Sequence, residues 1–469
     1  MRRILIVNPN LYSSRATVMR GRHRPPLDLA YIAALLRNDF EVRLVDARVD
    51  NLDVCQMYAE VAAYSPEVLI TTTTPVDRWE CPQSYLESFF SWLGDVANLP
   101  TKPVIIVTGT HGTTQPDWLL RRCPSIDFLV RGEPERTCEA LVRAIAAGGH
   151  PSVIAGVSYR QEEKILHNQA APRILDLDAL PLPAYDLLPM GKYRYTFGDI
   201  PQPFSIVLAT RGCPYRCTFC CRVMMENAYV TRKPQQVYDE LKYLRERFGV
   251  RGIFFQDWEF TINKFFVNAL MDLLLAKPLG ITWGCNARAN DFQQPQLFEK
   301  MQRAGLVRVN IGFESGSPEV LEAVNKKITV DDLARAIEVT RRLKLHLGMY
   351  ALLNAPGETA KTIRETMAFL KRQGISSMNF NLVVPYFGTA VHEQLREQLG
   401  PEAAEHLTWD TIEEYAGRTR TQLPPWLARL YQRHTKYRLS SGPIYWLRPA
   451  VWAEVGRKVV GRMHPHEGK

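Results

Sequence analysis

The sequence predicts an α/β protein of two β–α regions in series: an open, doubly wound Rossmann-like sheet, then an incomplete (β/α)6 barrel, followed by a short helical segment. Three observations carry that reading. Short apolar runs of strand length alternate with helical patterns through roughly the first 150 residues, and the alternation resumes from about residue 203 to 390. Most runs are apolar throughout, which marks parallel strands covered on both faces. Between the two regions, Leu180-Pro181-Leu182-Pro183 and Pro189 break helices and favour extended chain.

In the first region the strand runs are 4–7, 41–45, 68–72, 104–107 and 127–130, with helical patterns at 27–36, 85–96 and 137–147. Repeated β–α order gives an open sheet whose ligand crevice lies at the carboxyl ends of its strands. Those ends are Asn8-Pro9-Asn10, 72–75, 109–113 and 132–135, all polar or glycine-rich. Residues 151–200 read as a hairpin and a proline-rich linker. Strand runs then follow at 205–210, 252–256, 281–286, 307–312, 346–353 and 377–384, with helices at 235–248, 294–304, 330–343 and 360–372. Residues 265–276 read as a buried helix. Catalytic groups of such barrels sit at strand C-termini and on the loops that follow. The expected division is 1–150, 151–200, 201–395 and 396–469.

Composition narrows the class. Hydrophobic residues make up 46% and charged residues 23% of the 469, as in a globular protein. No apolar run reaches the length of a membrane span, and the opening MRRILIVNPN reads as a first strand, not a signal peptide. Nine cysteines, four of them within nine residues, suggest the reducing cytosol and metal binding over disulfides. From Tyr415 to Lys469, 11 Lys/Arg face 2 Asp/Glu, a surplus of nine that equals the net charge of the whole chain. The body is neutral and carries a basic tail.

Cys213, Cys217 and Cys220 form a C-x3-C-x2-C loop after the first barrel strand. Thiolates are the ligands of iron–sulfur clusters. Three on one loop can reach three irons of a cubane and leave the fourth open, where S-adenosylmethionine (SAM) can chelate through its amino and carboxylate groups. A four-cysteine zinc site is the competing reading, but Cys221 adjoins Cys220, a poor geometry for one tetrahedral ion. Cys221 reads as a packing thiol, and Cys55, Cys81, Cys123, Cys138 and Cys285 as core residues or free thiols.

With Phe219, this loop resembles the radical SAM superfamily, and residues 3–395 resemble its B12-binding (cobalamin-dependent) branch. The shared features are Arg24-Pro25-Pro26-Leu27, Gly109-Thr110-His111-Gly112-Thr113, Gly132-Glu133-Pro134-Glu135, Leu180-Pro181 with Tyr185–Pro189, Phe255-Gln256-Asp257 with Phe260, Gly312-Phe313-Glu314-Ser315-Gly316, Pro356-Gly357-Glu358-Thr359 and Pro385-Tyr386-Phe387-Gly388-Thr389. Hopanoid-methylase-like and tetrapyrrole-cyclase-like members both fit. Two features depart from the pattern: no D-x-H-x-x-G supplies a histidine to cobalt, and the paired acidic residues of the family appear as Asp257-Trp258.

The resemblance implies a 4Fe–4S cluster on Cys213, Cys217 and Cys220, with SAM and cobalamin as further cofactors. It implies C-methylation of an unactivated carbon, a second SAM remethylating the cobalt, and an external electron donor of flavodoxin or ferredoxin type. A B12-dependent cyclase and a non-catalytic cobalamin sensor are the rival readings. Glu314 and Arg288 are expected at SAM, against a helix-end charge and a surface salt bridge respectively. Gly357 is expected to let backbone approach a ligand, against a plain turn. Thr72, Thr73, Gly109, His111, Gly112, Gly132 and Glu133 are expected at the cobalamin, against strand-end threonines, ordinary turns and a satisfied loop histidine.

In the tail, Leu447, Val451, Val455, Val459 and Met463 form a helical stripe, with Arg448, Arg457, Lys458 and Arg462 mainly off it and Trp and Tyr interleaved. A solvated helix pair is one reading. Contact with the inner face of a membrane is another, and it favours a hydrophobic, polycyclic isoprenoid-like substrate in lipid biosynthesis. No nucleic-acid partner is expected, since no recognition motif accompanies the charge.

Overall fold

A computed structural model describes residues 3–11 and 23–417, apart from 84, 150, 196, 227, 376, 377 and 379. The amino-terminal half runs β1 (Arg3–Asn8), α1 (Leu27–Leu36), β2 (Glu41–Asp46), α2 (Val54–Tyr64), β3 (Val68–Thr72), α3 (Glu87–Ala97), β4 (Val104–Thr108), α4 (Thr110–Thr114), α5 (Pro116–Arg122), β5 (Phe128–Val130), α6 (Pro134–Ala146), β6 (Val157–Gln161) and β7 (Lys164–His167). The strand order is β2-β1-β3-β4-β5-β6-β7, parallel through β5. The order reverses between β1 and β3, so the crevice of the doubly wound sheet opens beyond Asn8 and Thr72. The expected hairpin is present as β6–β7. It pairs antiparallel with β5 and extends this sheet.

The second half runs β8 (Phe204–Val207), β9 (Thr210–Arg211), β10 (Val230–Thr231), α7 (Pro234–Phe248), β11 (Gly252–Phe255), α8 (Lys264–Ala276), β12 (Thr282–Ala287), α9 (Pro295–Arg303), β13 (Leu306–Glu314), α10 (Pro318–Ala323), α11 (Val330–Arg342), β14 (His346–Leu353), α12 (Ala360–Arg372), β15 (Phe380–Leu382) and α13 (Ala390–Glu405). Six parallel strands form an open half barrel in the order β15-β14-β13-β12-β11-β8. The antiparallel pair β9–β10, unforeseen in the sequence, is the stem from which the cysteine loop springs.

Alternation along β1 sends Leu5 and Val7 into a core beneath α2, α3 and α5, and Ile4 and Ile6 into a second core beneath α1 and α6. That second core does not stop at the domain boundary. It continues through Tyr185, Leu188, Met190, Tyr193 and Tyr195 into Phe204, Ile206 and the barrel helices. The proline-rich segment expected to be an extended linker is therefore a packed seam with short helical turns at Tyr185–Leu187 and Met190–Lys192. Its Ile200 closes the barrel floor: a Cβ on Gly252 would stand 2.7 Å, and one on Gly284 3.0 Å, from the Ile200 side chain. Beyond residue 395, α13 bends at Gly400-Pro401, and Trp409 lies buried. The basic, aromatic tail and its helical stripe lie outside the described residues.

Asp28, buried on α1, accepts a hydrogen bond from the Val76 amide at 3.2 Å. Burial pushes its carboxyl up to about 7, with Glu135 and Asp77 adding to the effect. A folded value above the unfolded one means that this stabilisation is complete below about pH 4 and is lost as pH rises through 7. Asp28→Asn should flatten part of the fall in thermal midpoint across that window. Parallel midpoint curves for the two proteins would refute the assignment.

Candidate active site

The cysteine loop is held at three points. At its stem, Gly212 has φ 84°, and a Cβ there would sit 1.9 Å from the Ala228 carbonyl oxygen. Only glycine lets the two loop ends close. Mid-loop, Thr218 donates to the Val324 carbonyl and accepts from the Val391 amide, both at 3.1 Å, while Asn325 Nδ2 donates to the Arg216 carbonyl at 2.7 Å. The third hold crosses to the other domain. Arg211, 2% exposed, donates to Glu133 Oε1 at 3.0 Å and to Glu135 Oε1 at 2.7 Å. Burial alone would weaken the guanidinium's hold on its proton; Glu135 and Glu133 outweigh it and raise its pKa. Arg173 closes on the other oxygen of Glu133 at 2.6 Å. Glu133, expected at the cofactor, is thus committed through both oxygens to arginines that join the domains.

Cys213, Cys217 and Cys220 are partly exposed and lie within electrostatic reach of one another. Cys221 is buried, and its thiol points to the Phe387 carbonyl at 3.5 Å, as a packing thiol should. Beside the loop stand four buried charges. Lys326 Nζ bonds Glu314 Oε1 at 2.9 Å. Against the burial that would lower it, Glu314, Cys217 and Glu259 hold the ammonium above the lysine range. Burial pushes Glu259 up to about 7, opposed by Lys326 and Arg288. Arg288, 2% exposed, lies 3.6 Å over the ring of Tyr215. Among the described residues no salt bridge engages it, and its Nε and Nη2 have no hydrogen-bond partner, nor does Glu259 Oε2. Of the expected residues, the structure gathers Cys213, Cys217, Cys220, Glu314 and Arg288 in one place. Lys326 and Tyr215 join them unforeseen, because a Lys-Lys pair after a helix reads as a solvated surface.

Among the described residues no three His, Cys, Asp or Glu side chains converge to hold a single metal ion. A cubane instead asks for one thiolate per iron, spread over its corners, and a loop of three thiols suits it. Unpaired buried cation and carboxylate groups alongside suit the amino and carboxylate ends of SAM. Metal binding here must deprotonate thiols, since burial pushes Cys213 up to about 11.

At the crevice of the other domain, Asn8, Thr73, Thr74, Pro75 and Gln83 line a recess. Among the described residues the buried atoms Asn8 Oδ1 and Thr108 Oγ1 have no hydrogen-bond partner, which fits a ligand rich in amides. Gly109 has φ 110°, and a Cβ on it would meet Thr73 Oγ1 at 2.7 Å. The expected donors are themselves engaged: Thr72 with the Thr74 carbonyl at 2.9 Å, Thr73 with the Thr108 carbonyl at 3.2 Å. His111 is buried, with Nδ1 at 3.1 Å from Thr74 Oγ1, Nε2 at 2.6 Å from the Gln83 carbonyl, and its ring 4.3 Å from Trp409. Burial lowers its pKa to about 3, so the ring is neutral. Gly112 packs on Leu119 and Leu129, and the Gly132 amide donates to Thr113 Oγ1 at 3.0 Å. Gly357 has φ 78°, and a Cβ on it would stand 3.0 Å from the Cβ of Ala323 in α10.

Residues 207–370 match the Radical SAM superfamily, and residues 18–142 match the B12 binding domain. An uncharacterized methyltransferase of Pyrococcus horikoshii is 31% identical over 394 residues, covering 83% of this chain and 82% of the relative. The chain belongs to the B12-binding radical SAM family. Its cofactors are accordingly SAM, a 4Fe–4S cluster and cobalamin. The anaerobic magnesium-protoporphyrin IX monomethyl ester cyclase of Rubrivivax gelatinosus is 26% identical over 406 residues, 85% of this chain and 70% of that enzyme. In fold, this radical SAM protein is similar to TsrM of Kitasatospora setae, a radical SAM methyltransferase solved with cobalamin and cluster: TM-score 0.67, 20% identity, 85% of this chain and 75% of that one. The enzyme class that the Pyrococcus horikoshii relative supports is radical SAM methyltransferase.

Two substitutions test the loop. Cys217→Ala should remove cluster absorbance and bound iron after anaerobic reconstitution; a full iron complement would refute the ligand assignment. Arg211→Met leaves Glu133 and Glu135 as buried carboxylates without their shared cation, and should cost of order 3–5 kcal/mol in denaturant unfolding. A loss below about 1 kcal/mol would show that the junction contributes little.

Proposed function

We propose that the chain transfers a methyl group to an unactivated carbon of a largely hydrophobic, ring-bearing substrate, polycyclic isoprenoids such as hopanoids included. The observation that supports it best is the Arg211 junction, which ties the stem of the cysteine loop to Glu133 and Glu135 of the cobalamin-type domain. When bound, the cluster with SAM supplies a 5′-deoxyadenosyl radical, and cobalamin supplies the methyl group. Cys213, Cys217 and Cys220 would hold the cluster. Arg288 would meet a carboxylate and Glu259 an ammonium, with the Lys326–Glu314 pair as the wall behind them. Tyr215 shields the Arg288 face from water.

An external electron donor of flavodoxin or ferredoxin type and contact of the basic tail with a membrane surface belong to the same proposal. Among the described residues no helix is long and apolar enough to cross a membrane. A cyclase is the second reading, supported by the cyclase relative of comparable coverage.

Anaerobic turnover in lysate with deuteromethyl-SAM, followed by mass spectrometry, separates the two. Label on a product carbon is expected for methyl transfer. Deoxyadenosine formation with an unlabelled, cyclised product would overturn it in favour of the cyclase.

A further inference from the structure

The half-barrel lumen holds polar groups that neither the cysteine loop nor the crevice uses. Register places Asn286 of β12 opposite Asn310 of β13, and Asn310 opposite Gly348 of β14. Asn310 Nδ2 lies 3.5 Å from Asn286 Oδ1 and 3.4 Å from the Tyr195 hydroxyl, and its Oδ1 accepts from Arg308 Nε at 3.0 Å. Gly348 keeps this row open, since a Cβ there would stand 2.1 Å from Asn310 Oδ1. At the other end of the row, Gln256 accepts a hydrogen bond from Arg24, which reaches in from the segment before α1. The Arg24 guanidinium lies 5.8 Å over Tyr195 and 5.2 Å over Phe254, two rings stacked at 5.3 Å. Arg288 follows Asn286 by two residues, immediately past the end of β12, so the row lies roughly 7 Å below the cysteine loop's surroundings.

The charges decide what this row can take. Arg308 is paired with Asp199. Among the described residues Arg24 has no ion pair; Glu80 is an acid within its electrostatic reach, but no ion pair joins them. A guanidinium that no described carboxylate pairs, beside three amides and a phenol and walled by aromatic rings, offers several donors to an anionic oxygen pair and little to a hydrocarbon.

We infer that the lumen row binds the carboxylate end of an otherwise apolar substrate, with Arg24 as its specificity-determining residue. This rests on the methyl-transfer reading for one thing only, that the apolar part of the substrate stands above, beside the cysteine loop. The substrate class is then an amphipathic, carboxylate-bearing polycycle, not a neutral hydrocarbon.

The test is calorimetric titration of the cluster- and cobalamin-loaded full chain with pyrenebutyrate and with pyrenebutanol. The acid should bind about tenfold more tightly than the alcohol, the size of one charge-assisted contact. Arg24→Met should abolish the difference, and Arg24→Lys should retain most of it. Asn310→Asp, which sets a carboxylate in the row, should weaken the acid and leave the alcohol unchanged, a check that survives if Arg24→Met fails to fold. Equal affinities in the parent protein, or an acid preference that persists in Arg24→Met, would overturn the inference. An intact acid preference with no label transferred from deuteromethyl-SAM would sink methyl transfer alone.

Discussion

Two carboxylates from one domain, Glu133 and Glu135, close on one guanidinium from the other, Arg211, and the position of the cysteine loop depends on that junction. Each group is almost wholly buried, so each has lost the water that would otherwise solvate its charge. Such a set contributes little net stability compared with an apolar seam of the same shape, but it is highly directional. The planar fork of Arg211 accepts the two glutamates in one arrangement, over the ring of Tyr31 at 5.5 Å. Since Gly212 and Cys213 follow directly, that arrangement aims the loop.

A second buried set repeats the logic nearby. Arg232 bonds Glu240, and the Tyr185 hydroxyl donates to the same carboxylate at 2.5 Å. One member follows directly on the strand after the cysteine loop, one comes from a barrel helix and one from the seam between the domains. Polar groups at such depth have to be satisfied by partners brought from far along the chain. Here those partners are the residues that carry one domain to the other.

The sequence reading succeeded where a local rule applied. Wholly apolar runs marked the parallel strands, and cysteine spacing marked the loop whatever the surroundings. It failed where the deciding partner is distant. Glu133 reads as a polar residue at a strand end, which is where cofactors bind; Arg211, 78 positions later, claims it. Lys326 reads as surface until β13 brings Glu314 beside it. The prolines of the seam do break helices, as expected, but local chain chemistry cannot reveal that Tyr185, Tyr193 and Ile200 are buried between two sheets.

The apolar core that runs unbroken from α1 through the seam into β8 also bears on how the chain is made. When the first half has left the ribosome, the core that holds Tyr31 still lacks Phe204 and Ile206, and the Arg211 that lies over the Tyr31 ring has yet to be synthesised. The amino-terminal sheet is therefore completed on one face by residues that arrive later. It is not a portable module: grafted onto another barrel, it would need a new partner for that face, and translated alone it would carry an adhesive one.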